Sequence, residues 1–190
     1  FIGSTNNQPL IFKVNNFTVG SLDNNENIFW GKNAGINNIS FSNVGMGVGA
    51  LNKNTNRSNL VAIGDSALYN NGVGATGSLF ASNNTAVGSK TLYSNTTGFY
   101  NTGLGYKSLY SNSTGYYNTA TGYHSLTANT TGLRNTAHGF QGLSSNTTGH
   151  FNTANGAYAL NANTTGNNNT ANGFQSLQSN VSGEANAAFG

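Results

Sequence analysis

His124, His138 and His150, with the four acids Asp23, Glu26, Asp65 and Glu184, are the side chains in this 190-residue sequence equipped for acid–base or metal chemistry. General acid–base catalysis needs such groups within hydrogen-bond reach of one reacting atom. A glycosidase needs two facing carboxylates, and a nucleophilic serine needs a histidine oriented by an acid. The three histidines fall at three different places in a 17-residue repeat, so they do not converge within one chain. His138 could serve a metal only by meeting symmetry copies near a trimer axis. The acids are dispersed, and no Ser or Thr shares a repeated register with an acid–His pair. Gly45-Met46-Gly47-Val48-Gly49 has the composition of a phosphate loop, but that motif needs a helix to follow it, so the run reads as coil glycine. The expectation is no catalytic residue, no metal site, no cofactor and no enzyme.

The repeat is what places every other residue. Asn84, Asn101, Asn118, Asn135, Asn152, Asn169 and Asn186 open units that read approximately N-T-A-x-G-x-x-S-L-x-S-N-T-T-G-x-x. With the opening Asn as position zero, Gly stands at four and fourteen, Ala or Gly at two, and Leu at eight (Leu92, Leu109, Leu126, Leu143, Leu160, Leu177). A second Asn stands at eleven (Asn95, Asn112, Asn129, Asn146, Asn163, Asn180). Units beginning at Asn43 and Leu60 fit the same offsets, and a degenerate unit begins at Asn27. The step from 60 to 84 carries seven extra residues within 72–83. A short fixed period marks a solenoid whose units stack on their neighbours.

Two Gly per unit and clustered Thr argue against helix. The sequence therefore predicts an all-β chain, a parallel β-roll or β-solenoid with one 17-residue coil per repeat. Each coil is expected to hold two short strands, Thr-Ala-x and Thr-Thr, and to stack on the next at about 4.8 Å. Gly at four and fourteen suits left-handed corners or close backbone approach; the repeated Asn tolerates left-handed corners and can form amide ladders. Residues 1–42 form a cap with the degenerate first repeat: strands Pro9–Val14 and Phe17–Leu22 joined at Asn15-Asn16. Residues 43–190 form the array.

Composition narrows the classes further. Apolar residues make up 36% and charged ones 6%, against roughly 45–50% and about 25% in an ordinary domain. The net charge of +3 comes from seven scattered cations, without the basic stripe that tracks nucleic acid. No apolar run is long enough to span a membrane. Beginning at Phe1 and stopping within a unit at Gly190, the chain reads as a fragment. One Leu and one Ala per coil make a thin core, which predicts a homo-oligomer; a trimer is the usual arrangement for fibrous rolls.

The unit, best seen in Asn84–Gly98 and Asn101–Gly115, resembles repeats of bacterial and phage tail-fibre-like proteins that often end in an endosialidase-type chaperone. The opener Phe1–Asn16 is similar to the segment preceding such repeats. The resemblance implies a trimeric, left-handed β-roll like the heads of YadA-type adhesins, although 17 residues exceed that adhesin repeat and no chaperone domain is present. It also implies an extracellular place, in a virion tail fibre or on a bacterial surface, and a structural or adhesive role.

Specific contact then belongs to columns that vary. Leu79 and Phe80 in the insertion, and Tyr100, Tyr117 and Phe151 at position sixteen, are candidate contacts for a cell-surface glycan or protein receptor. The favoured reading of the aromatic columns is that they pack between chains or stack on one another for stability, and the insertion could equally stand out or tuck back. The Thr column (Thr85, Thr102, Thr119, Thr136, Thr153, Thr170) raises an ice-binding alternative, weakened by an uneven neighbouring column. The Asn-x-Ser/Thr sequons at Asn95, Asn112, Asn129, Asn146 and Asn163 read as ladder Asn rather than glycan sites.

Overall fold

A computed structural model describes Asn6 and residues 8–190. The first five residues and Asn7, part of the opener, lie outside the described residues. Strand β1 (Leu10–Val14) and strand β2 (Phe17–Leu22) form an antiparallel hairpin. Asn15 and Asn16 turn it at φ 48° and 64°, the double left-handed geometry of a two-residue hairpin loop. After β2, Asp23 Oδ1 accepts from the Asn25 and Asn27 backbone amides at 3.0 and 3.1 Å. That turn brings β3 (Ile28–Trp30) antiparallel to β2.

From β3 onward every step is parallel. The strands are β4 (Asn43–Met46), β5 (Leu60–Ile63), β6 (Thr85–Val87), β7 (Thr102–Leu104), β8 (Thr119–Thr121), β9 (Thr136–His138), β10 (Thr153–Asn155), β11 (Thr170–Asn172) and β12 (Ala187–Phe189). They join β1–β3 in one sheet whose spatial order is the chain order. The 17-residue step sets the register, Thr85 opposite Thr102 and Thr102 opposite Thr119. The chain is thus a parallel β-solenoid with one strand per coil, and the hairpin is built onto its first coil.

Each strand ends at the position-four Gly, whose φ lies between 120° and 136°, a region closed to residues with a Cβ. A Cβ there would also fall within 3.0 Å of the next coil's backbone, as at Gly122 against Gly139. Beyond it the backbone turns left-handed at positions six and eight, at Lys107 (φ 54°) and Leu109 (φ 52°), for example. The alternation aims peptide groups along the rod in both directions. Lys107 N–H bonds back to Ser89 O at 3.1 Å and Leu109 N–H bonds forward to Ser125 O at 3.0 Å. Left-handed non-glycine residues cost about 1–3 kcal/mol each, so these inter-coil bonds have a local strain to offset.

Two expectations need correction. The Thr-Thr segment is not a strand. In Thr96-Thr97-Gly98 three successive N–H groups converge on Ser113 O at 2.9, 3.1 and 3.3 Å, whereas a strand would alternate its amides between two neighbours. The repeated Asn are not the left-handed corners either: those fall at positions six, eight and sixteen, on Lys, Leu and Tyr. Position-fourteen Gly does not take positive φ, and its reason is space, since a Cβ on Gly115 would lie within 3.0 Å of Asn112 Oδ1 and Gly132 O.

In the regular coils the interior holds one Leu and, at position two, Ala (Gly103 in one coil) between two columns of Asn. Leu92, Leu109, Leu126, Leu143 and Leu160 have no exposed surface, as do Ala86, Ala120, Ala137, Ala154 and Ala171. Leu177 in the last full coil is partly covered and packs against them. At the first coil the ring of Phe29 fills the position that Ala fills elsewhere, and Gly45 above it leaves the ring its room.

Candidate functional site

The Asn columns form two different ladders. At position eleven the ladder is amide to amide: Asn112 Nδ2 donates to Asn95 Oδ1 at 3.1 Å, Asn129 to Asn112 at 2.7 Å, Asn146 to Asn129 at 2.8 Å, Asn163 to Asn146 at 3.0 Å and Asn180 to Asn163 at 2.9 Å. Asn95 continues it down to Asn71 at 2.8 Å. Each of these also donates to the Gly carbonyl three residues on, as Asn129 does to Gly132 O at 3.0 Å. At position zero the side-chain carbonyl accepts from the next coil's backbone, Asn118 Oδ1 from Asn135 N at 3.0 Å. Asn27 joins this ladder, its Oδ1 accepting from Asn43 N at 3.0 Å. Buried amides paired in this way carry no desolvation deficit, and the sequon Asn95, Asn112, Asn129, Asn146 and Asn163 present no surface for a glycan.

This alters the argument for association. Among the described residues only Arg57 Nε and Ser108 Oγ are buried side-chain polar atoms without a partner, so a single chain satisfies nearly all of its own buried side chains. A reason to associate must lie on the outside.

The outside carries stacked columns. Tyr100 and Tyr117 lie 5.1 Å apart and 1° from parallel, and the Arg134 guanidinium continues the column at 5.7 Å from Tyr117 and 5.6 Å from Phe151. Phe80 tucks back to 6.2 Å from Phe99, which stands 5.7 Å from Tyr100. The insertion therefore meets this column, while Leu79 stays 60% exposed. On the far side of the strands, Tyr106, Tyr123 and Phe140 stack at 5.5 and 5.2 Å. Where the next position five is Ala157, Tyr158 from position six takes the place of the missing ring, 5.3 Å from Phe140 and 6.2 Å from Phe174. Where the rings lie parallel, as from Tyr106 to Phe140, inner ring faces are covered by their neighbours, whereas Tyr158 meets Phe140 and Phe174 edge-on.

Between the two columns lies the outer face of the sheet, and its chemistry changes along the rod. Position one runs Ile28, Val44, Val61 and then Thr from Thr85 to Thr170. Position three runs Trp30, Met46, Ile63, Val87, Leu104 and then Thr121, His138, Asn155, Asn172. Trp30 is 48% exposed, Met46 41% and Leu104 38%. The Thr column is legible where the repeat is regular, and positions one and three carried back through the degenerate units show the apolar rows in the sequence itself.

The histidines stay apart. His124 packs on Tyr123 at 4.3 Å, and burial first, then the Lys107 charge, hold its pKa below the usual 6.5. His138 is exposed on the sheet face, and His150 Nδ1 accepts from Leu133 N at 3.1 Å. Three of the acids accept hydrogen bonds, Asp23 from the Asn25 and Asn27 amides, Glu26 from Ser42 and Glu184 from Asn167, the last two each at 2.8 Å. Among the described residues no group of three or more His, Cys, Asp or Glu could hold a metal, and no helix is long and apolar enough to cross a membrane. The chain matches no protein-family model, no curated protein and no solved structure.

Proposed function

We propose that this β-solenoid is a non-catalytic segment of a homotrimeric extracellular fibre, of a virion tail or a bacterial surface, serving as shaft or adhesive head. The observation that supports it best is the apolar stretch of the sheet's outer face over β3–β7. Contiguous exposed apolar surface of this kind marks contact with other protein, and the flat parallel face offers the same rows to each copy of the chain. The polar coils beyond Leu104 then stand clear of the contact and carry the display surface. Replacing Met46 and Ile63 with Lys tests this: both side chains are exposed, so the coil stays folded, and the association should be lost. An unchanged elution volume for the double variant would refute the assignment of the face.

A second reading keeps a specific observation behind it. Thr85 to Thr170 stand in exact parallel register on the outer face, as an ice-binding solenoid requires. The column beside it mixes Thr121, His138 and Asn155, which spoils a regular lattice. Thermal hysteresis in a concentrated solution of the chain would favour ice binding over the fibre; its absence removes that reading.

A further inference from the structure

Arg57 stands three residues before the next unit, the place that Gly98, Gly115, Gly132 and Gly149 occupy in later coils. There a Cβ would lie within 3.0 Å of the following coil's backbone. Arg57 escapes that clash because the insertion carries the following coil away. Asn71 Nδ2 reaches Ala81 O, ten residues on, at 2.8 Å, where Asn95 reaches Gly98 O, three residues on, at 2.9 Å. The detour opens a hollow of about 540 Å³ lined by Arg57, Ser40, Ser58, Ser78, Ser82 and Leu79, among others. That is the size of ordinary small-ligand sites.

Arg57 is only 5% exposed. Its Nη1 donates to Gly77 O at 2.7 Å and its Nη2 to Ala75 O, both carbonyls of the inserted loop. Among the described residues no carboxylate faces it, and Nε has no partner. A guanidinium carries five N–H donors, so donors remain after those two bonds. A buried cation without a counter-charge is costly, and carbonyl dipoles neutralise it only in part.

We propose that the hollow binds a carboxylated sugar, free or at the end of a glycan chain. The guanidinium meets the carboxylate, the hydroxyls of Ser78 and Ser82 and of the mutually hydrogen-bonded pair Ser40 and Ser58 meet the ring hydroxyls, and Leu79 covers an apolar face of the ring. One buried cation suits a monoanion, and a lining rich in hydroxyls, with Thr76 beside the serines, suits a polyol rather than a bare anion. This site stands or falls independently of the fibre reading, because it lies within one chain.

The test is titration of the whole chain, followed by ligand-observed NMR, with glucuronate, glucose, acetate and a glucuronate-terminated disaccharide. Glucuronate should bind, with glucose and acetate each about tenfold or more weaker, as loss of a charge-assisted bond or of the hydroxyl contacts requires. Disaccharide binding equal to or tighter than glucuronate assigns the terminal residue of a glycan; weaker binding assigns the free sugar acid. Ser78→Leu, on the exposed loop, fills the hollow without touching Arg57 and should abolish binding with the melting curve unchanged. Arg57→Gln should abolish the preference for glucuronate over glucose. No binding of glucuronate, equal binding of glucose or acetate, or full binding by Ser78→Leu would overturn the proposal.

Discussion

Leu126 is buried at φ 49°, so two demands meet on one residue: an apolar side chain inside and a left-handed backbone. Methionine meets both, and Leu126→Met should cost under about 1.5 kcal/mol. Isoleucine conserves the volume but its branched Cβ is hostile to positive φ, so Leu126→Ile should cost about 1–2 kcal/mol more than Met. Leu126→Asp should prevent folding of the coil. Denaturant melts separate the three, and equal Met and Ile midpoints would show that the left-handed demand is absent. His124 gives a pH signature. Its folded pKa lies below the unfolded 6.5, so between those values the unfolded chain binds more protons. The His124 contribution is therefore intact above pH 6.5 and declines as pH falls from there toward the folded pKa, flattening below it. His124→Gln should remove that share of the slope in melts across the range; an unchanged slope would contradict it.

A coil is a closed circuit, and the insertion is tolerated because it leaves the circuit between two ladder positions. Asn71 still donates to Asn54 Oδ1 at 3.2 Å, and Ala81 stands fully buried where the coil resumes. Arg57 ties the detour down. Arg57→Met keeps the stem and loses the donors, so cleavage within residues 73–80 should accelerate about tenfold or more in limited proteolysis, as the loss of bonds from a charged group implies. An unchanged rate would mean that other contacts hold the loop. Much at this level was legible in the chain itself. The hairpin follows from two apolar runs broken at Asn15-Asn16, while strand start, buried Leu and the place of the insertion follow from a period that repeats residue types at residues of one role. What was not legible had no such signal. Lys90, Leu92 and Tyr100 carry no preference for positive φ; closing a coil in 17 residues imposes it on them. Thr96-Thr97 looks like a strand by composition, but its amides converge on one carbonyl. Arg57 reads as a stray cation until its place in the Gly column is known.

Along the whole rod, a uniform interior supports an outer surface that is not uniform. The two Asn ladders and the Leu column run through every regular coil, so stability is spread over neighbour contacts, as repeat arrays require. The outer sheet face changes from Trp30, Met46 and Ile63 to Thr136, Thr153 and Asn172. A chain that pairs its own buried amides does not need a partner to fill its core, and the proposed association rests on its apolar outer rows alone. The most direct test is the solution mass of the purified chain by multi-angle light scattering over a range of concentrations. The account predicts three times the 19.7 kDa of one chain, reduced to one by Lys at Met46 and Ile63. A stable 19.7 kDa monomer at every concentration would contradict it.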